Sequence, residues 1–173
     1  MGGKRSKSAP SDPEPKQPTE WSTLSGHPVE NIVETVLELV GDDERVLHIG
    51  TDAQHRGLRT DYVTVVAVLN PGKGGRVFYR RERTTRTKSL AQKLFREAEL
   101  SIQVATELSE HLAQDIVVHI DANEDLRHRS SDYVQALAGM VVGYGFKVEV
   151  KPDSWCATHV ADRVVKDRHE GAA

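Results

Sequence analysis

Three β-rich runs follow one another before the chain settles into an alternation of helix and strand, and that order narrows the possible folds more than any other feature. The runs are residues 46–52, 59–70 (RTDYVTVVAVLN) and 75–85 (GRVFYRRERTT). The last two are joined by PGKGG, whose Pro and Gly signal a hairpin turn. Helical spacing then marks about residues 89–113, a strand follows at 116–121, and a helix covers about 130–142 until GYG breaks it. A strand at FKVEV and a final helix over about 155–167 complete the pattern. Sequential hairpins build antiparallel pairs, whereas strand–helix–strand units cross over to parallel ones. The expected fold is therefore α/β: a mixed five-stranded sheet, three antiparallel strands and then α-β-α-β-α, with helices on both faces.

The flanking segments read differently. Residues 1–24 are rich in Pro, Ser and charge and poor in aliphatics, the composition of a disordered tail. Residues 25–45 hold Val29, Ile32, Val33, Val36, Leu37 and Val40 at helical spacing, with Gly41 as a stop, and predict an N-terminal helix ahead of a domain at 46–169. With 38% hydrophobic and 28% charged residues the chain suits a soluble protein. It lacks any apolar run near the ~18 residues of a membrane span, and its start shows no signal-peptide core. A single cysteine, Cys156, allows no internal disulfide and suits the reducing cytoplasm.

Two of the strands carry an aspartate where they are expected to leave the sheet: Asp52 in VLHIGTDAQ and Asp121 in DIVVHIDAN. Strand alternation puts Val46, His48, Gly50 and Asp52 on one side, and Val117, His119 and Asp121 together likewise. A lone aspartate at a strand end is ordinarily a turn or cap residue. Two on parallel neighbours meet at the carboxyl edge, where α/β sheets bind ligands. The long helix adds a third acid. Leu90, Leu94, Glu97, Ser101, Val104 and Leu108 form one stripe, whereas Glu99 falls on a polar face with Gln92, Gln103, Thr106 and Glu110. Glu97 on the sheet-facing stripe calls for a cation, proton or donor, unless it snorkels from the stripe's margin. In THVADRVVK, Asp162 flanks the apolar face of the last helix with His159 beside it; Asp162 is preferred as the fourth acid because Asp153 and Ser154 suit helix capping.

Carboxylates converging without cysteine suit a hard cation, Mg²⁺ or Mn²⁺. Two such ions support phosphodiester hydrolysis. A polyanionic substrate also fits the local charge. The chain is −3 overall, yet between Lys73 and Lys88 seven cations, among them Arg80, Arg81, Arg83 and Arg86, face Glu82 alone. Arg80, Arg81, Arg83, Arg86 and Lys151 are the expected nucleic-acid contacts, with Phe78 and Tyr79 as either stacking or core residues. A charged edge strand that blocks aggregation is the competing account of the arginines. PGKGG is no P-loop, since it lacks the Walker spacing.

HIGTDAQ, EAELS, HIDANED followed by SSDYVQALAGMVVGYGF, and KPDSWCATHVADRVVK resemble, in this order, the YkuK-type ribonuclease H-like family across about residues 46–167. The resemblance implies a metal-dependent nuclease or resolvase architecture acting on RNA, DNA or a hybrid, with acids at Asp52, Glu97, Asp121 and Asp162. HVAD is similar to the His-x-x-Asp step of resolvase-type members, which implies that His159 positions water or metal. Two other classes stay open. One is a nucleic-acid-binding module without turnover; the other, ranked last, is an actin-like phosphotransferase, for whose duplicated domains the chain is short.

Overall fold

Asn31 decides where the first helix starts. The computed structural model describes residues 20–41, 45–70, 72–156 and 158. In it the Asn31 side chain accepts from the Val33 and Glu34 N–H groups at 3.0 and 3.3 Å, an N-cap that launches α1 at Ile32–Val40. Gly41 ends the helix with φ 51° and donates its N–H to Leu37 O. The N-terminal helix is thus shorter than the expected 25–45, and Val29 belongs instead to a strand. Trp21–Thr23 (β1) and Pro28–Val29 (β2) form a small antiparallel pair. Trp21, which falls within the tail expected over 1–24, is instead buried in the main core, and residues 1–19 of that tail lie outside the described residues.

The three β-rich runs become β3 (Val46–Arg56), β4 (Arg59–Asn70) and β5 (Gly74–Thr85), an antiparallel meander. A two-residue turn joins β3 to β4, and Gly57 supplies the positive φ, 58°, that its first central position requires. α2 (Leu90–Ser109), β6 (Ile116–Asn123), α3 (Ser131–Gly143) and β7 (Lys147–Lys151) follow. The sheet has seven strands in the order β2-β1-β5-β4-β3-β6-β7, with β6 parallel to both β3 and β7. The expected five strands are its contiguous block. The two extra strands extend it because β1 pairs with β5 at Phe78 and Tyr79, so β5 is an edge strand only beyond those residues.

Strand alternation sorts the side chains into two faces. Leu47, Ile49, Val66, Val68, Ile116 and Val118 pack against α1, α2 and α3 through Val36, Leu94, Ile102, Leu108 and Leu137. Each fully buried Leu or Ile here contributes about 1.5–3 kcal/mol. Val63, Val65 and Ala67 look the other way, toward Trp155 and Cys156. All three helices just named lie on one face. Helical cover of the opposite face begins at Cys156 and Thr158, and the rest of the helix expected over 155–167 lies outside the described residues.

Candidate carboxylate site at the fork between two strands

The parallel ladder between β3 and β6 pairs Leu47 with Ile116 and stops at Gly50 with His119. Beyond that point the strands part. β3 continues to Arg56 paired with β4 alone, and β6 pairs onward with β7 through a register shift between Ile120 and Asn123. Neither aspartate ends its strand, contrary to expectation; each lies two residues past the end of the shared ladder. Asp121 falls within the irregularity itself, a feature that bends a strand and re-aims side chains.

Glu97 reaches the same fork from α2. Beyond the β3–β6 ladder the Ala53 N–H donates to Glu97 Oε1 at 2.9 Å. Glu97 is 4% exposed, and its Oε2 has no hydrogen-bond partner among the described residues. Burial pushes its carboxyl up to about 8. Lys93 and the Ala53 N–H oppose that rise, while the charges of Asp52 and Asp121 reinforce it. The mutual effect brings the three acids into one electrostatic group. Asp52 is 8% exposed, and Asp121 is half-buried.

Two lysines enter this group. Lys93 Nζ lies 3.4 Å from Glu97 Oε1, one helical turn away. Burial lowers its pKa, but the attraction of Glu97, Asp52 and Asp121 outweighs burial and holds the ammonium charged. Lys151 forms an ion pair with Asp121, so this expected substrate contact is engaged within the site. Among the described residues, no three His, Cys, Asp or Glu side chains stand together as a metal-holding group. Asp162 and His159 lie outside the described residues. Asp153 is exposed, its N–H donating to Val150 O in the turn after β7.

Below the acids, on the face of Asp52 and Asp121, sits a cluster that motif reading passed over. The Trp155 N–H donates to His119 Nδ1 at 3.4 Å, which leaves the His119 proton on Nε2; that nitrogen donates to His48 Nδ1 at 2.8 Å. Both imidazoles are neutral. Burial, and then the neighbouring His48, lower His119 to about 4, and burial lowers His48. The Trp155 ring lies 5.1 Å from His48 and 5.2 Å from His119, and Cys156 Sγ donates to His48 O at 3.4 Å. The cluster therefore ties the segment after β7 to the sheet beneath the fork. Its only sequence signal was the shared strand phase of each histidine with its aspartate.

The arginines do not form one patch. Arg80 lies over the Trp21 ring, 5.1 Å from its centroid, on the helix-covered face. Arg83, on the other face, grips Asp61 with two hydrogen bonds of 2.6 and 3.0 Å. The Arg83 hydrogen bond is the main reason that the Asp61 carboxyl is held low. Arg81 shares the Arg83 face by alternation. Arg86 donates to Gly57 O at 2.9 Å at the hairpin tip. Phe78 is core and Tyr79 packs on the opposite-face cluster.

The Ribonuclease H-like family model matches residues 29–166. The chain is also 26% identical over 157 residues to the uncharacterized protein YkuK of Bacillus subtilis (strain 168), an alignment covering 79% of this chain and 90% of that protein. A family match across most of the chain, on a mixed sheet with acids at its central fork, leads to one identification: the chain belongs to the ribonuclease H-like family, in its YkuK-type branch.

Proposed function

We propose that this protein is a cytoplasmic, metal-dependent nuclease that hydrolyses phosphodiester bonds of RNA, DNA or a hybrid at the β3–β6 fork. The observation that carries the reading is Glu97 Oε2. It is a carboxyl oxygen in the interior without a donor among the described residues, under the field of two further carboxylates. A buried anion so placed takes a proton or a cation. An all-oxygen donor set of Asp52, Glu97 and Asp121, with Asp162 as the expected fourth member, fits Mg²⁺ or Mn²⁺. Bound there, two such ions would supply the charge that activates a water and stabilises the departing oxygen.

The chain's own residues prepare the site. The Ala53 N–H fixes one oxygen of Glu97, and the other has no hydrogen-bond partner among the described residues. Lys93 and Lys151 set positive charge beside Glu97 and Asp121 between turnovers. Family membership supports a nucleic-acid substrate class. No described helix is long and apolar enough to cross a membrane.

The test is cleavage of labelled RNA, DNA and hybrid oligonucleotides with Mg²⁺ or Mn²⁺, in wild type, Asp52→Asn and Asp121→Asn. Either substitution is expected to abolish cleavage with the circular dichroism spectrum unchanged. Full activity in chelator, or in both variants, refutes the assignment. One observation favours a second reading, a binding module without turnover: Lys151 already pairs with Asp121, and Lys93 stands 3.4 Å from Glu97. Salt-sensitive binding with no cleavage under either ion selects it.

A further inference from the structure

The β3–β4 hairpin projects beyond Asp52 and leaves a cleft of about 580 Å³ between its tip and the start of α2. His55 and Leu58 line it from the hairpin, Arg86 and Lys88 from the chain after β5, and Leu90 and Lys93 from the helix. Its lining holds three cations and no carboxylate. The walls are tied together: the Arg86 N–H donates to Leu58 O at 2.9 Å, the Thr87 N–H to Thr60 Oγ1 at 3.0 Å, and Thr87 Oγ1 meets the Tyr62 hydroxyl at 2.7 Å. His55 Nδ1 lies 3.0 Å from Thr60 Oγ1. Ser89 caps α2 by accepting from the Gln92 N–H, so the positive end of a 20-residue helix also faces this region.

Lys93 connects the cleft to the carboxylates. It lines the cleft and lies 3.4 Å from Glu97, which is about 6 Å further along the helix axis. The sign of the charge therefore reverses within one helical turn, from a cation-lined channel to an acid-lined fork. A substrate that suits both halves is a polyphosphate strand. One phosphodiester would sit at the fork and the flanking backbone would lie against Arg86, Lys88 and Lys93, where phosphate oxygens replace the missing carboxylates.

We propose that this hairpin-tip cleft is the track for the sugar-phosphate backbone flanking the phosphodiester at the fork, and that Arg86 and Lys88 are its substrate-positioning residues. The inference rests on the nuclease reading for its substrate class, but not on turnover. The cleft accounts for Arg86 among the expected nucleic-acid contacts, and adds Lys88, Lys93 and His55, which motif reading did not single out.

The test is fluorescence anisotropy of labelled single-stranded RNA, single-stranded DNA and hybrid oligonucleotides in EDTA, with the full chain, over a range of salt. The cleft variant is Arg86→Gln with Lys88→Gln. Lys88→Glu alone is the companion, because Lys88 is exposed and its loss leaves the Arg86–Gly57 bond intact. The control is Lys73→Gln with Arg76→Gln, the same charge change at the β4–β5 turn. Loss of two phosphate contacts should lower the slope of log affinity against log salt by about 1.4 for a single strand. The expected result is at least a ten-fold loss of affinity and this lower slope in the cleft variant, a smaller loss in the companion, and none in the control. If wild type binds but cleft and control variants weaken alike or not at all, the track is wrong and the nucleic-acid reading stands. If wild type binds none of the three oligonucleotides, with or without Mg²⁺, both fall.

Discussion

Replacing Glu97 by Gln should make the metal-free protein more stable while removing its response to divalent ions. The folded carboxyl titrates at about 8 against an ordinary 4.5. At pH 7 the unfolded chain is ionised here and the native site takes up a proton, at a cost of about 3 kcal/mol. Because the folded pKa is the raised one, stability is fullest below about 4.5 and declines as pH rises toward about 8. Glutamine keeps an oxygen for the Ala53 N–H and carries no charge to set against Asp52 and Asp121. At pH 7 the protonated acid has no ion pair with Lys93 to lose, so a net gain of about 3 kcal/mol remains, or roughly 6–12 °C in Tm for a chain of this size. The assay is thermal unfolding in EDTA from pH 5 to pH 9, repeated with Mg²⁺ and Mn²⁺. Wild type should lose stability across that range and regain it with the ions; Glu97→Gln should show a flatter profile and no gain. A variant less stable than wild type at pH 8 in EDTA, or one that keeps the full pH dependence, would refute the account of Glu97.

Three other outcomes follow from the geometry. His119 is held neutral with a lowered pKa of about 4, so its contribution is present above about 6.5 and is lost as pH falls toward 4; urea unfolding should show this acid limb, and His119→Gln should reduce it, equal slopes in both proteins counting against the cluster. Trp21→Ala should cost about 3 kcal/mol, because the ring is buried in the main core and carries Arg80 on its face; an unchanged denaturation midpoint would return Trp21 to the tail. Cys156 is buried with its thiol pushed up by burial, so an aromatic disulfide reagent should label it at the rate of unfolding, and prompt labelling of the native protein would contradict that packing.

Patterns that follow a fixed period were legible in the chain, and features set by contacts between distant residues were not. Alternation placed Asp52 with His48 and Asp121 with His119 on one face, and the helical stripe chose Glu97 over Glu99. The strands' true ends were missed because Asp52 and Asp121 mark where two strands part, and a fork has no local code. Lys93 stands four residues before Glu97, an i,i+4 pairing that could have been read directly. The first two strands escaped notice for another reason. Three and two residues carry too little alternation to register, and Trp21 is buried through residues distant in sequence, in the main core and at Arg80. The arginines looked like one patch because sequence proximity hides strand alternation, which sends Arg80 to the opposite face from Arg81 and Arg83.

The acids at the fork ride on unlike carriers. Asp52 belongs to a strand paired with β4 along its whole length, and Asp121 to a strand held by β7 on either side of its irregularity; Glu97 belongs to a rod that grips the sheet through Leu94, Ala98 and Ile102. A slightly larger or smaller side chain beneath that rod would slide or roll it, moving one corner of a triangle while the other two stay still. Fine adjustment of the acids' spacing is thereby handed to apolar residues that stand apart from them.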